Sequence, residues 1–225
     1  MVWSKKLDLP GPKKLIGGNK NAGFYGECPA SEFITGDELA KLIGLTDGAS
    51  QFSNEPWLKF SYLGNVEYIA KKIFRHSISW NDINRVNAVF GNRIILINGN
   101  KYKVRLPKGK TEGKQDDVNA EKGSICHNSE WNRLLLPIHE NAPSNWKNPN
   151  NVKFPTENWH IGYTDDELST DYKRGELSYS ICQDYGDASE FVLTRGGNGP
   201  AYSISIRPTA RADYIGWRPV LEFVK

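Results

Sequence analysis

The chain has 225 residues, 38% hydrophobic and 24% charged, with a formal net charge of +3. This supports one large domain or two small ones with a buried core, and excludes wholesale disorder. The charge is too mild to point to nucleic acid, and no run approaches the roughly 20 apolar residues of a membrane helix.

Residues 1–27 carry Pro10-Gly11-Pro12, Gly17-Gly18, Gly23 and Gly26, so an extended arm is expected. A helix follows, with Thr35 as N-cap, Glu38 completing a capping box and Gly44 as the left-handed terminator. Leu39, Leu42 and Ile43 form its expected apolar face. Residues 57–62 and 66–70, around Leu63-Gly64-Asn65, read as a hairpin. Ser79 opens a second helix with Asp82 at N3. Ile83, Val86 and Phe90 are expected to face inward, and Gly91 ends it. Strands 93–97 and 101–106 flank Asn98-Gly99, the preferred pair for a type I′ turn. The first is apolar on both faces and is expected at the centre of a sheet. The second alternates Tyr102, Val104 and Leu106 with Lys103 and Arg105.

Residues 107–127 are polar and aperiodic. Asn128 or Ser129 caps a helix that Pro137 limits. Residues 140–162 read as a long loop bearing Trp146 and Trp159, followed by one helical turn over 164–168. Strands are expected over 179–182, 191–194, 202–206 and 217–223, with a turn at Gly196-Gly197-Asn198-Gly199-Pro200.

Chemical motifs are scarce. There is no Gly-x-Ser-x-Gly elbow, and His76, His127, His139 and His160 stand far apart without zincin spacing. Gly196-Gly197-Asn198-Gly199 leads into a strand and not into a helix N-terminus that could receive a phosphate. Cys28, Cys126 and Cys182 contain no C-x-x-C pair, so three reduced, buried thiols and assembly in a reducing cytoplasm are expected. The acids Asp165, Asp166 and Glu167 are accounted for by a helix first turn, and no metal or other cofactor is expected. Seven Trp and ten Tyr against one Met suit a rigid β-rich scaffold or a recognition surface.

Arg195-Gly196-Gly197 and the terminal Gly216-Trp217-Arg218-Pro219-Val220 resemble the closing segment of formylglycine-generating-enzyme-like domains. The resemblance implies a C-type-lectin-like fold. The reactive cysteine pair of those enzymes has no counterpart beside Cys182, which implies that their oxidase activity is absent. Trp80-Asn81-Asp82 spells a lectin calcium signature, but it lies on a capped helix start and is read as coincidence. The chain as a whole resembles bacteriophage virion structural proteins, through blocks such as Gly23-Phe24-Tyr25-Gly26-Glu27, Thr35-Gly36-Asp37-Glu38-Leu39 and Trp57-Leu58-Lys59-Phe60.

The expected architecture is therefore α+β. It comprises an arm over 1–27, a small mixed α/β subdomain over 28–106 that attaches to the virion, and a C-type-lectin-like domain over 107–225. The resemblance implies a non-enzymatic tail, baseplate, fibre or head-surface component, assembled in the host cytoplasm. Its partners would be other virion proteins and copies of itself, with host-surface glycan or protein as a further partner. A purely structural capsid or tail decoration is the alternative, and a surface-polysaccharide hydrolase is the third reading. Trp146, Trp159, Tyr163, Tyr185 and Tyr202 are the candidate contact residues. Core or loop packing is the competing role for each of them.

Overall fold

The computed structural model describes residues 8–110, 129–140, 158–170, 179–185 and 190–225. Trp146, Cys126 and His127 lie outside these residues. In chain order the elements begin with β1 (Gly17–Gly18), β2 (Ala22–Cys28), α1 (Gly36–Ile43), β3 (Ala49–Ser50), β4 (Trp57–Tyr62) and β5 (Asn65–Ala70). Next come β6 (Arg75–His76), α2 (Trp80–Arg85), β7 (Phe90–Ile97), β8 (Asn100–Arg105), α3 (Glu130–Leu134) and α4 (Asp165–Leu168). The chain closes with β9 (Tyr179–Tyr185), β10 (Val192–Gly196), β11 (Ser203–Ile206), β12 (Ile215–Trp217) and β13 (Val220–Val224).

The protein is α+β, mostly sheet with few helices. One sheet has the order β1-β2-β4-β5-β13-β8-β7 and the other the order β11-β10-β9-β12-β6-β3. Trp57, Tyr68, Tyr102, Val104 and Leu221 of the first sheet share a core with Ile181, Val192, Ile215 and Trp217 of the second. Leu39 and Ile43 of α1 and Ile83 of α2 belong to the same core. The opposite face of the first sheet presents Phe24, Leu58, Phe60, Ile69 and Val220 to Trp131, Leu134, Leu135, Ile138 and Leu168. Both faces of β4 are covered, and even its polar residues Lys59 and Ser61 are buried.

Local signals correspond closely to the structure. Thr35–Glu38 and Ser79–Asp82 both form complete capping boxes, and Gly44 is left-handed. Asn98 and Gly99 both have positive φ, as a type I′ turn requires. Leu63 and Gly64 do the same, so the first hairpin turns on two residues and β5 begins at Asn65.

Several expectations are corrected. Ala22–Cys28 is a strand paired with β4, not part of an arm. Gly26, at φ 120, sits where the register with β4 shifts, so it serves a bulge rather than flexibility. Farther upstream, Lys59 Nζ donates to Pro10 O at 2.7 Å and Pro12 O at 2.8 Å, and Tyr68 OH donates to Pro10 O at 2.9 Å. Strand β7 is an edge and not a centre, leaving Ile94 54% and Leu96 63% exposed. On α1 the buried residues are Leu39, Ala40 and Ile43, while Leu42 is exposed. Helix α2 ends at Arg85, and Phe90 is an exposed residue opening β7. The sheets also cross the expected boundary after residue 106. Strand β13 lies between β5 and β8, and β12 pairs with β6.

The terminal segment, expected as one strand over 217–223, is two strands in different sheets. Strand β12 belongs to the six-stranded sheet and β13 to the seven-stranded one, and Arg218-Pro219 spans the crossing. Pro219 has no N–H to give a ladder, which suits it to that position. Arg218 is fully buried at the crossing. Its guanidinium donates to Lys71 O at 2.5 Å, Ala70 O at 3.1 Å and Ser180 Oγ at 2.9 Å, and also to Leu168 O. It therefore joins β5, β9 and the end of α4. Desolvation lowers its pKa to about 9, so it stays charged at neutral pH.

Arg195, also fully buried, donates to Gly109 O at 2.8 Å, Pro200 O at 3.2 Å and Ala201 O at 3.2 Å, and to Asn132 Oδ1. Both guanidinium groups lie over the Trp131 ring, that of Arg195 at 5.7 Å and that of Arg218 at 5.5 Å from its centroid. Gly196 and Gly197 both have positive φ, and a Cβ on Gly197 would lie 2.0 Å from the Tyr179 ring. On Gly216 a Cβ would lie 2.1 Å from Ile73 Cγ2, which admits only glycine there. Trp217 fills the core beside it with no exposure.

Candidate binding cleft

A cleft of about 460 Å³ opens where β2 ends, lined by Glu27, Pro29, Ala30, Ser31, Thr35, Asn54 and Pro56. Its position follows from local chemistry. Pro29 cannot extend the β2 ladder, and residues Ala30–Glu32 turn as a short 3₁₀ helix. Thr35 then caps α1, and Gly36 N donates to Ser53 O at 2.7 Å, fixing the 52–56 turn against that helix start. Lys71 N donates to Pro56 O at 3.1 Å on the far side of the turn.

Behind the cleft Glu27 meets two partners. Lys71 Nζ lies 2.8 Å from Glu27 Oε1, and Tyr163 OH donates to the same oxygen at 2.7 Å. The Lys71 ammonium also lies over the Tyr163 ring at 4.7 Å and 4.0 Å from Glu167 Oε1. Burial pushes the Tyr163 phenol well above its ordinary pKa, and the Glu27 hydrogen bond adds to the shift. Glu167 is held below the usual carboxylate range by the Thr164 backbone N–H, with the Thr164 hydroxyl, Lys71 and Lys72 adding. Lys71 thus sits between two carboxylates, and Lys72 adds positive charge near Glu167. Ser31 and Asn54 are exposed, and their side chains make no hydrogen bond among the described residues.

Arg218 connects the fold to this site. The carbonyls it binds belong to Lys71 and to Leu168, the residue after Glu167. The arginine that fixes the sheet crossing therefore also fixes the backbone under both charged side chains.

Of the five candidate contact residues, only Tyr163 lies beside this cleft. Trp159 packs on β1, so closely that a Cβ on Gly17 would be 2.6 Å from Trp159 Cβ. Tyr185 is 44% exposed at the end of β9, with its ring 5.5 Å from that of Trp80. Tyr202 precedes β11, where its backbone closes the 196–202 turn. Trp146 lies outside the described residues. Of the four described members, Trp159 and Tyr163 pack against the same buried cluster, whereas Tyr185 meets Trp80 and Tyr202 belongs to the 196–202 turn. Glu27 and Lys71 were missed because their contact spans 44 residues, and no local pattern marks it.

Two groups noted in the sequence have structural roles. Glu167 completes a capping box with Thr164. Asp82 caps α2 and also accepts from Arg211 at 2.6 Å. Among the described residues no cluster of three or more His, Cys, Asp or Glu side chains could hold a metal ion. No known protein-family model matches the chain, and no curated protein or solved structure is significantly similar to it.

Proposed function

We propose that the chain is a non-catalytic structural protein of a bacteriophage particle, with a C-type-lectin-like core, that meets the host surface through the cleft at Glu27. The double use of Arg218 carries this reading. One buried guanidinium holds the closing Gly-Trp-Arg-Pro segment and the Lys71 and Leu168 backbone behind the cleft, where Lys71 pairs with Glu27 of the cleft wall. A surface pinned from the core loses little entropy when a ligand arrives, which is the advantage of a preorganised recognition site. The closing motif supports the lectin-like assignment, and the scattered virion-protein blocks support particle membership. The pairing of Lys71 with Glu27 and Glu167 favours recognition over acid–base chemistry.

A second reading, a decoration protein that contacts only neighbouring subunits, is favoured by β7. An uncovered strand edge carrying exposed Ile94 and Leu96 is a template for pairing with another chain. Gold-labelled antibody on purified particles of the encoding phage tests both readings. Labelling of the particle surface is expected, together with blocking of host adsorption by the purified protein. Particles without label would overturn the particle assignment, and surface label without blocking would select the decoration role.

A further inference from the structure

We infer that the cleft at Glu27 takes a neutral, hydroxyl-rich ligand, a saccharide unit, held by Glu27, Ser31 and Asn54 and seated on Pro29 and Pro56. This rests on the reading of the cleft as a binding surface. It does not depend on where the protein sits in a particle.

The argument is one of matched chemistry. At about 460 Å³ the cleft falls within the size range of small-ligand sites, about 300–1,000 Å³. A saccharide combines C–H faces with a rim of hydroxyls that both donate and accept. Pro29, Ala30 and Pro56 supply rigid apolar wall for the first. Asn54 offers an amide donor and acceptor, and Ser31 offers a hydroxyl. Neither is engaged by another side chain or backbone group among the described residues. Glu27 is a carboxylate whose Oε1 is taken by Lys71 and Tyr163, which leaves Oε2 as an acceptor for a ligand hydroxyl. Hydrogen bonds to an ionised acceptor are the stronger kind.

Charge sets the selectivity. Glu27, the charged side chain lining the cleft, is offset by Lys71, which lies 2.8 Å from it and 4.0 Å from Glu167, so the wall offers little net charge to an ionic ligand. A phosphate or uronate would bring a negative charge against the Glu27 carboxylate, whose near cation, Lys71, is already paired. A neutral sugar makes the same hydrogen bonds without that repulsion.

The test is calorimetric titration of the full chain with neutral disaccharides (maltose, lactose and chitobiose) and with glucuronic-acid disaccharides. Binding of at least one neutral disaccharide in preference to every acidic one is expected. Asn54→Ala and Ser31→Ala, both at exposed positions, should each weaken it about five-fold without changing the melting temperature. Glu27→Gln keeps the shape and removes the nearer of the two carboxylates that offset Lys71, so the acidic disaccharides should gain at least three-fold relative to the neutral ones. Absence of binding by every neutral disaccharide, binding that Asn54→Ala and Ser31→Ala leave unchanged, or a preference for acidic sugars in the unsubstituted protein would overturn the inference. Particle labelling is a separate measurement, so a protein that labels particles but ignores these sugars fails here alone.

Discussion

At the scale of single residues, Arg218 and Gly216 are tightly constrained positions. Arg218 is a buried cation whose partners are carbonyls and one hydroxyl rather than a carboxylate. Lysine has neither the planar fork nor the number of donors to serve them together. Arg218→Lys should therefore destabilise the protein by about 3 kcal/mol in urea denaturation. Gly216→Ala should cost about 1–3 kcal/mol in the same measurement, because its Cβ would press on Ile73 Cγ2 and on Arg75 O at 2.4 Å. The closing motif was legible in the sequence as a Gly-Trp-Arg-Pro unit. Its acceptors were not legible. Ala70 lies 148 residues away and Leu168 lies 50 away, and carbonyls carry no side-chain signature.

At the scale of elements, the capping boxes and the Asn98-Gly99 turn were readable because each is closed within a few residues. The position of β7 was not. Its apolar run suits a strand buried on both faces, yet β8 covers one edge only, and the outward face carries Ile94 and Leu96 into solvent. The charged residues of β8 also mislead, because Arg105 is not on a wet face. It lies 2.9 Å from Glu67 of β5, 2.8 Å from Glu130 of α3 and 3.0 Å from Glu222 of β13. Burial opposes the charge on Arg105, but Glu130 and Glu67 more than offset it and its pKa is raised. Three carboxylates share this cation. Burial pushes Glu67 up to about 8, more than Arg105 can pull it down, with Glu130 and Glu222 reinforcing the rise. The folded protein thus holds a proton that the unfolded chain releases near its ordinary carboxylate pKa of 4.5. The stabilisation from that proton is complete below about 4.5 and declines as pH rises to about 8. Thermal melts should show the decline across that window. Glu67→Gln should flatten it and raise the melting temperature at pH 8 relative to the unsubstituted protein.

At the scale of the whole molecule, the two sheets are interlocked by segments that leave one and enter the other. Residues 71–74 connect β5 in the first sheet to β6 in the second, and Arg218-Pro219 makes the reverse crossing from β12 to β13. The crossings are bonded to each other, since Phe74 N donates to Trp217 O at 2.9 Å and Ala70 N to Pro219 O at 3.0 Å. A sequence divided by composition suggests a break after residue 106, because the polar stretch there has no period. The strands on either side nevertheless complete one another's sheets, and the pairing that joins them lies more than 100 residues away in sequence, as between Arg105 and Glu222. A fragment of residues 107–225 would keep β9, β10 and β11 but would lose β5 and β8 from both edges of β13 and β6 from β12. It would also expose Val220, Leu221 and Trp217, which are fully buried in the intact chain. Such a fragment should show no cooperative thermal transition by circular dichroism, whereas the full chain should melt in a single step. A fragment that melts sharply on its own would establish 107–225 as an autonomous domain and reduce the crossings to contacts between two separately stable units.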